Sequence, residues 1–160
     1  MQKKKELIEI ILRRLYQEFE SINQAARAAH DAATHEESKA EDHHDTRGLE
    51  ASYLAGAQVN RAAELKHLSS IFRMLELRDF QKDDPITLGA LFVLEMKGRQ
   101  FYYFLMTEGG GISVQWEGKT VHVITLQAPL GEAVFGKKAG QEVEVETQNA
   151  VREYRVVSVA

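Results

Sequence analysis

Apolar residues in the first part of the chain recur in alternating steps of four and three. The series runs through Ile8, Leu12, Leu15, Phe19, Ile22, Ala26, Ala29 and Ala33. Such steps place apolar side chains in one stripe along a helix, which then packs lengthwise against another helix. No glycine or proline interrupts residues 1–47. The pattern therefore predicts one long helix with a helical partner.

A second apolar stripe with the same spacing follows after a polar interval. It runs through Leu54, Gln58, Arg61, Leu65, Leu68, Phe72 and Leu75. The large apolar residues lie in the first half of the first stripe and in the second half of this one. The two large-residue halves face each other only if the helices run in opposite directions. Residues 1–80 are therefore predicted to form an antiparallel coiled-coil hairpin.

The segment between the two stripes, residues 35–53, is acidic and carries several histidines. Its carboxylates are Glu36, Glu37, Glu41, Asp42, Asp45 and Glu50, and its histidines are His35, His43 and His44. Gly48 is the only helix breaker between the stripes, which predicts a turn between about His43 and Gly48. Asp45 or Thr46 is suited to cap the second helix. The hairpin is thus expected to present an acidic tip near residues 41–50.

The hydrophobic period changes from about 3.6 to 2 after Pro85, at the end of a polar linker over residues 81–85. Runs of β-branched and aromatic residues predict strands over residues 86–96, 100–107, 112–116, 120–126, 141–146 and 153–159. Pro129 suits the first turn of a short helix within residues 128–140. The predicted fold class is α+β, with the helical hairpin followed by a small β-rich domain over residues 86–160.

Composition narrows the classes of function. The chain has 160 residues, a net charge of -4 and no cysteine, which excludes disulfides and thiolate metal sites. The net negative charge argues against a large basic surface that binds nucleic acid. Glu6, Glu9 and Arg13 interrupt the apolar run after the N-terminal lysines, unlike a signal peptide. We expect a soluble, cytoplasmic protein that does not enter a membrane.

A motif near the C-terminus resembles a known family. It comprises Pro-Leu-Gly at residues 129–131, Gly-Lys-Lys at 136–138 and Gly140. It resembles the signature of the GreA/GreB transcript-cleavage factors, which typically reads S-P-L-G-R-A-L-L-G-K-x-x-G-D. Ala128, Glu132 and Gln141 depart from that signature. The order of a helical hairpin and then a β domain also resembles this family, so the resemblance covers essentially the whole chain.

The resemblance implies an FKBP-like C-terminal domain that docks at the secondary channel of bacterial RNA polymerase. The corresponding docking residues are Pro129, Leu130, Gly131, Lys137 and Lys138. The hairpin then enters the channel, where its acidic tip helps to hold the second Mg²⁺ of the polymerase, which hydrolyses backtracked RNA. The protein is accordingly expected to be a monomeric accessory factor and not an enzyme, with no cofactor of its own. Its partners are the polymerase and, indirectly, the RNA 3′ end; DNA binding is a further expectation.

Four tip carboxylates are the candidates for this activity: Asp45, Asp42, Glu41 and Glu50. Asp45 and Glu50 are the candidates for sharing the Mg²⁺, because hard oxygen ligands suit this ion and a two-metal hydrolysis. No metal is expected to be bound stably by the protein alone. The family tip usually reads Asp-Leu-x-Glu-Asn-Ala-Glu-Tyr. Aligned on Tyr53, its Asp and Glu fall on Thr46 and Leu49, so a channel-binding modulator or inhibitor of RNA polymerase without cleavage activity is the alternative function.

Other interpretations remain for parts of the hairpin. Arg27 and Arg61 are candidates for contact with extruded RNA, or are ordinary solvated arginines. The tip histidines either bind a transition metal or make the tip charge pH-dependent near neutrality. The hairpin as a whole is alternatively a protein–protein interaction module unrelated to polymerase, such as a homodimer, although the polar Gln58 and Arg61 argue against a long apolar dimer surface.

Overall fold

The computed structural model of this chain describes residues 1–34, 47–81, 83–147 and 150–160. These residues form two compact units. One unit is Leu12–Ser70, and the other combines Met1–Ile11 with Ile71–Ala160. The sequence-based boundaries at residues 80 and 86 follow the change in hydrophobic period. The units follow packing instead, so the ends of both helices belong with the β-rich domain.

Both predicted long helices are present. Helix α1 spans Gln2–Thr34, and helix α2 spans Arg47–Met74. Within the unit Leu12–Ser70, the stripe residues Leu15, Leu65 and Leu68 are buried. Toward the other end of the same unit, Ala26 and Ala29 are exposed, as is Leu54 with 62% of its surface. The two apolar stripes are therefore buried in only part of their predicted length.

Inside the larger unit, the start of α1 is buried more widely than one stripe predicts. Leu7 and Ile11, which lie outside the predicted stripe, are both fully buried, and Ile8 is 7% exposed. Phe72 of α2 is buried in the same unit. A helix face of this width is typical of a helix end that is enclosed by more than one neighbour. The stripe periodicity alone did not reveal this enclosure.

Six strands of the described residues follow the helices and form one mixed sheet, in agreement with the predicted α+β class. They are β1 (Leu91–Met96), β2 (Arg99–Met106), β3 (Ser113–Trp116), β4 (Lys119–Thr125), β5 (Glu142–Thr147) and β6 (Ala150–Val159), and α3 (Pro129–Val134) lies between β4 and β5. The strand order is β3-β4-β2-β1-β6-β5. All neighbours pair antiparallel except β2 and β4, which are parallel. Three hairpins, β1–β2, β3–β4 and β5–β6, thus build the sheet.

The first strand begins later than predicted. Residues 86–90 hold a turn, in which the Ala90 amide donates to the Thr87 carbonyl and Gly89 has a φ of 78°. A positive φ suits glycine and does not continue a strand. Ile86 is nevertheless fully buried, so its apolar character reflects the core and not a strand.

Side chains alternate between the two faces of the sheet, and both faces are buried. One face contributes Phe92, Leu94 and Leu105 to a core cluster that includes Val134 of α3. The opposite face carries buried Phe104, Val121 and Val123. The domain is therefore built around a sheet that is covered on both sides.

Among the described helices, none has the length and apolar character needed to cross a membrane. The cytoplasmic location and the FKBP-like character of the β-rich domain stay predictions.

Candidate functional site

The predicted acidic tip falls mostly outside the described residues. Asp45, Asp42 and Glu41 lie there, together with the tip histidines. Glu50 belongs to the first turn of α2, which the structure describes as helical backbone. Across the described ranges, no three metal-ligating side chains come together. The role of the tip carboxylates therefore stays a prediction.

Arg61 is engaged within the hairpin. Its Nε and Nη2 donate to Oε1 of Glu18 on α1 at 2.9 and 2.6 Å, and its Nη1 donates to Oε2 of Glu64 at 2.8 Å. The hydrogen bonds that Arg61 donates to Glu64 and Glu18 raise the pKa of Arg61 above its usual range. The guanidinium thus joins the two helices, which explains why a cation occupies a stripe position. Of the two arginines predicted to contact RNA, Arg27 is exposed and Arg61 is partly exposed.

The Pro-Leu-Gly motif starts helix α3. Ala128 is extended, with φ -76° and ψ 141°, and Pro129 occupies the first turn, where its missing N–H costs nothing. Gly131 is buried. A Cβ at this position would overlap the main-chain carbonyl oxygen of Thr125, at the end of β4, and would lie 2.8 Å from its carbonyl carbon. The glycine is therefore required for the close approach of α3 to β4.

The remaining predicted docking residues differ in exposure. Leu130 packs against the core cluster, whereas Pro129 and Lys138 are exposed. The main chain of Lys137 is fixed, because its carbonyl accepts the Ile86 amide at 2.7 Å. Phe135, which sequence reasoning missed, is 48% exposed directly after α3. An exposed aromatic ring and an exposed ammonium group thus follow this helix.

A cavity of about 370 Å³ lies between the first turn of α1 and the sheet, within the larger unit. It is lined by Met1, Gln2, Lys3, Lys4, Asp79, Phe80, Leu91, Val93, Tyr102, Trp116, Glu117, Lys119, Ser158 and Ala160. Two lining residues that carry N–H groups are almost inaccessible to solvent: Lys4 is 3% exposed and Trp116 is 6% exposed. The sequence analysis assigned no role to this group.

Lys4 is a buried cation held by main-chain oxygens. Its Nζ donates to the carbonyls of Arg78 at 2.6 Å and Gly89 at 3.3 Å. Burial, partly offset by the nearby Asp79, lowers the pKa of Lys4 to about 8. A sequence signal for its burial exists, because Lys4 precedes Leu7 and Ile11 by three and seven positions and so shares their helix face.

A comparison with known proteins finds a family match for the C-terminal region of this chain. Residues 111–160 match the family model for the C-terminal domain of the transcription elongation factor GreA/GreB. Transcription elongation factor GreA from Syntrophus aciditrophicus (strain SB) is 32% identical over 98 residues, which are 60% of this chain and 56% of that protein. The match thus spans little more than half the length of this relative.

Solved structures of similar chains include two transcription factors. The GreA factor homolog 1 (Gfh1) protein of Thermus thermophilus is 22% identical, covering 93% of this chain and 94% of its own, with a TM-score of 0.39. GreA/GreB from Nitrosomonas europaea is 21% identical, covering 72% of this chain and 93% of its own, with a TM-score of 0.37.

The family match includes the elements that carry the sequence motif. Residues 111–160 contain β3, β4 and α3 with its Pro-Leu-Gly start, followed by β5 and β6. The motif, the family match and the GreA relative thus agree that the C-terminal region of this chain is similar to the C-terminal domain of GreA/GreB.

Proposed function

We propose that this protein binds bacterial RNA polymerase and inserts its helical hairpin into the secondary channel. The match of residues 111–160 to the GreA/GreB C-terminal domain carries this proposal. Helix α1 has 33 residues, so it extends roughly 50 Å at about 1.5 Å per residue. A rod of that length is suited to carry side chains to an active site that lies inside another protein.

The proposed activity is to stimulate cleavage of backtracked RNA by the polymerase. Asp45 and Glu50, assisted by Asp42 and Glu41, act at the Mg²⁺ of the polymerase active site. Carboxylate oxygens suit this hard cation, and a second metal stabilises both the attacking and the leaving oxygen in phosphodiester hydrolysis. The protein contributes these ligands in trans and needs no cofactor of its own.

A second candidate function has a specific observation in its favour. Aligned on Tyr53, the two acidic positions of the family tip are Thr46 and Leu49 in this chain. A hairpin without carboxylates at these positions would enter the channel and modulate or inhibit the polymerase without stimulating cleavage. Both functions share the partner and the route of entry, and they differ only in the chemistry of the tip.

Docking is proposed to use the exposed residues around α3. Pro129, Phe135 and Lys138 provide an apolar and cationic surface, which suits an acidic polymerase surface with an apolar centre. Gly131 contributes indirectly, by allowing α3 to pack on β4. Loss of polymerase binding in Phe135→Ser, with unchanged thermal stability, would support this surface; unchanged binding would remove Phe135 from it.

The decisive experiment follows RNA length in a stalled, backtracked elongation complex. Wild type is compared with Asp45→Ala, Glu50→Ala and the control Glu9→Ala, whose exposed side chain lies outside the acidic segment. Faster shortening with wild type and Glu9→Ala, but not with the tip variants, supports cleavage stimulation. Polymerase binding without shortening supports the modulator.

Absence of polymerase binding would contradict both candidate functions. Light scattering of the purified protein completes the experiment, because a stable dimer that buries the hairpin would favour the interaction module over channel entry.

A further inference from the structure

The cavity beside the first turn of α1 has no part in the proposed polymerase activity. We propose that it binds a small organic anion with a flat aromatic body, such as a nucleoside monophosphate or an aromatic carboxylate. Its volume of about 370 Å³ lies in the range of roughly 300–1,000 Å³ that is typical of small-molecule sites.

Aromatic side chains line the cavity on several elements. Trp116 ends β3, Tyr102 lies on β2, and Phe80 follows α2. Rings in such a site favour a flat ligand through stacking and edge contacts. The apolar side chain of Val93 on the neighbouring strand extends this lining.

The indole of Trp116 also has an unused hydrogen-bond donor. Its Nε1 is buried, and no acceptor for it exists in the part of the chain that the structure describes. A buried N–H without an acceptor is unfavourable. An oxygen atom of a ligand that reaches the edge of the indole ring would supply the missing acceptor.

Lysine side chains supply the cations that would bind the anionic group of the proposed ligand. Lys3 pairs with Glu117 at 3.0 Å, and Lys4 donates to two main-chain carbonyls. Lys119 makes no ion pair with any residue of the described ranges, and its amine lies 4.6 Å from the centroid of the Tyr102 ring. It is thus available to a phosphate or carboxylate held against that ring.

Lys3 adds a second and adaptable cation. Its side chain is 70% exposed, and its amine lies 5.7 Å from the centroid of the Trp116 ring. Lys3 and Lys119 therefore stand over two different aromatic rings of the same cavity. An aromatic ligand that carries an anionic group matches this alternation of rings and ammonium groups.

The chain contains a single tryptophan, and it lies in the proposed site. Binding can therefore be followed by its fluorescence and by its one indole N–H resonance. Adenosine monophosphate and 4-hydroxybenzoate are titrated into the full chain. Inorganic phosphate, which has no aromatic ring, and adenosine, which has no anionic group, serve as comparison ligands. We expect saturable shifts of the indole resonance with one or both aromatic anions, and affinity at least tenfold weaker for phosphate and for adenosine.

Matched lysine variants test the location of the site. Lys119→Gln should weaken binding about tenfold, and Lys3→Gln should weaken it less. Lys5→Gln, which changes an exposed lysine outside the cavity, should bind like wild type. Thermal melting of each variant separates loss of binding from loss of folding.

Either aromatic anion, if it binds with this dependence on Lys119, supports the proposal and identifies the ligand source. Absence of a saturable shift with both, or equal affinity in folded Lys119→Gln and wild type, would overturn it. The result is independent of polymerase binding.

Discussion

Gly131 of α3 lies against the main-chain carbonyl of Thr125, so closely that no side chain fits between them. This contact fixes α3 to the end of β4. It gives a structural reason for the glycine of the Pro-Leu-Gly motif, for which the sequence analysis had predicted only a role in docking. The motif therefore maintains the surface that the neighbouring Pro129 and Phe135 are proposed to present.

Gly131→Ala should strongly destabilise the protein. The new methyl group would overlap backbone atoms, which cannot rotate away, and the expected loss is about 3 kcal/mol or more in the free energy of unfolding. Urea denaturation measures this loss. Gly56→Ala is the control, because among the described residues no atom beyond its chain neighbours and the backbone of its own helix lies within 4 Å of a Cβ at this position in α2.

Gly56→Ala should change the free energy of unfolding in the opposite direction. Alanine is favoured over glycine in a helix interior by roughly 0.5–1 kcal/mol, so this variant should be slightly more stable than wild type. Equal stability of the two alanine variants would contradict the close approach at Gly131.

Two leucines of the same predicted stripe should differ widely in their contribution to stability. Leu65 is 1% exposed and Leu54 is 62% exposed. Leu65→Ala should cost about 2–5 kcal/mol, as buried leucines do. Leu54→Ala should change the free energy of unfolding by less than about 0.5 kcal/mol. Similar losses from both would show that the stripe is buried along its full length.

The ion pair between Arg61 and Glu18 should contribute modestly to the hairpin. Both side chains are more than a third exposed, and exposed pairs typically contribute about 0.2–1 kcal/mol. A double-mutant cycle with Arg61→Gln and Glu18→Gln should give a coupling energy in that range, decreasing with added salt. Zero coupling at low salt would mean that the pair does not join the helices in solution.

Lys4 should make stability depend on pH above neutrality. Its pKa is about 8 in the folded protein and 10.5 in the unfolded chain. Between these values the unfolded chain binds a proton that the folded protein has released, so the free energy of unfolding rises with pH. Lys4→Met removes this contribution without a large change in volume.

Urea denaturation from about pH 7 to pH 10 compares wild type with Lys4→Met. The difference in the free energy of unfolding should shift in favour of wild type as the pH rises through this window. Lys5→Met, at an exposed position, should follow the wild-type profile. Parallel profiles for all three proteins would show that Lys4 titrates like a solvated lysine.

Local patterns determined much of this fold. The apolar stripes of α1 and α2 could be recognised in the sequence because residues three and four positions apart lie on the same face of a helix. The strands could be predicted from the alternation of apolar and polar residues and from the turns at residues 97–98 and 117–118. The start of β1 was misplaced, because the buried Ile86 looks like a strand residue when its surroundings are unknown.

The sequence by itself thus determined the class of fold, the order of its two parts, the acidic composition of the hairpin tip and the family motif. Tertiary structure decided which stripe residues are buried, that Arg61 joins two helices, and that Gly131 serves the packing of α3. It also decided that Lys4 is buried and that Trp116 lines a cavity with Lys119. These properties depend on residues far apart in the chain, and burial and pairing are set by such neighbours and not by local period.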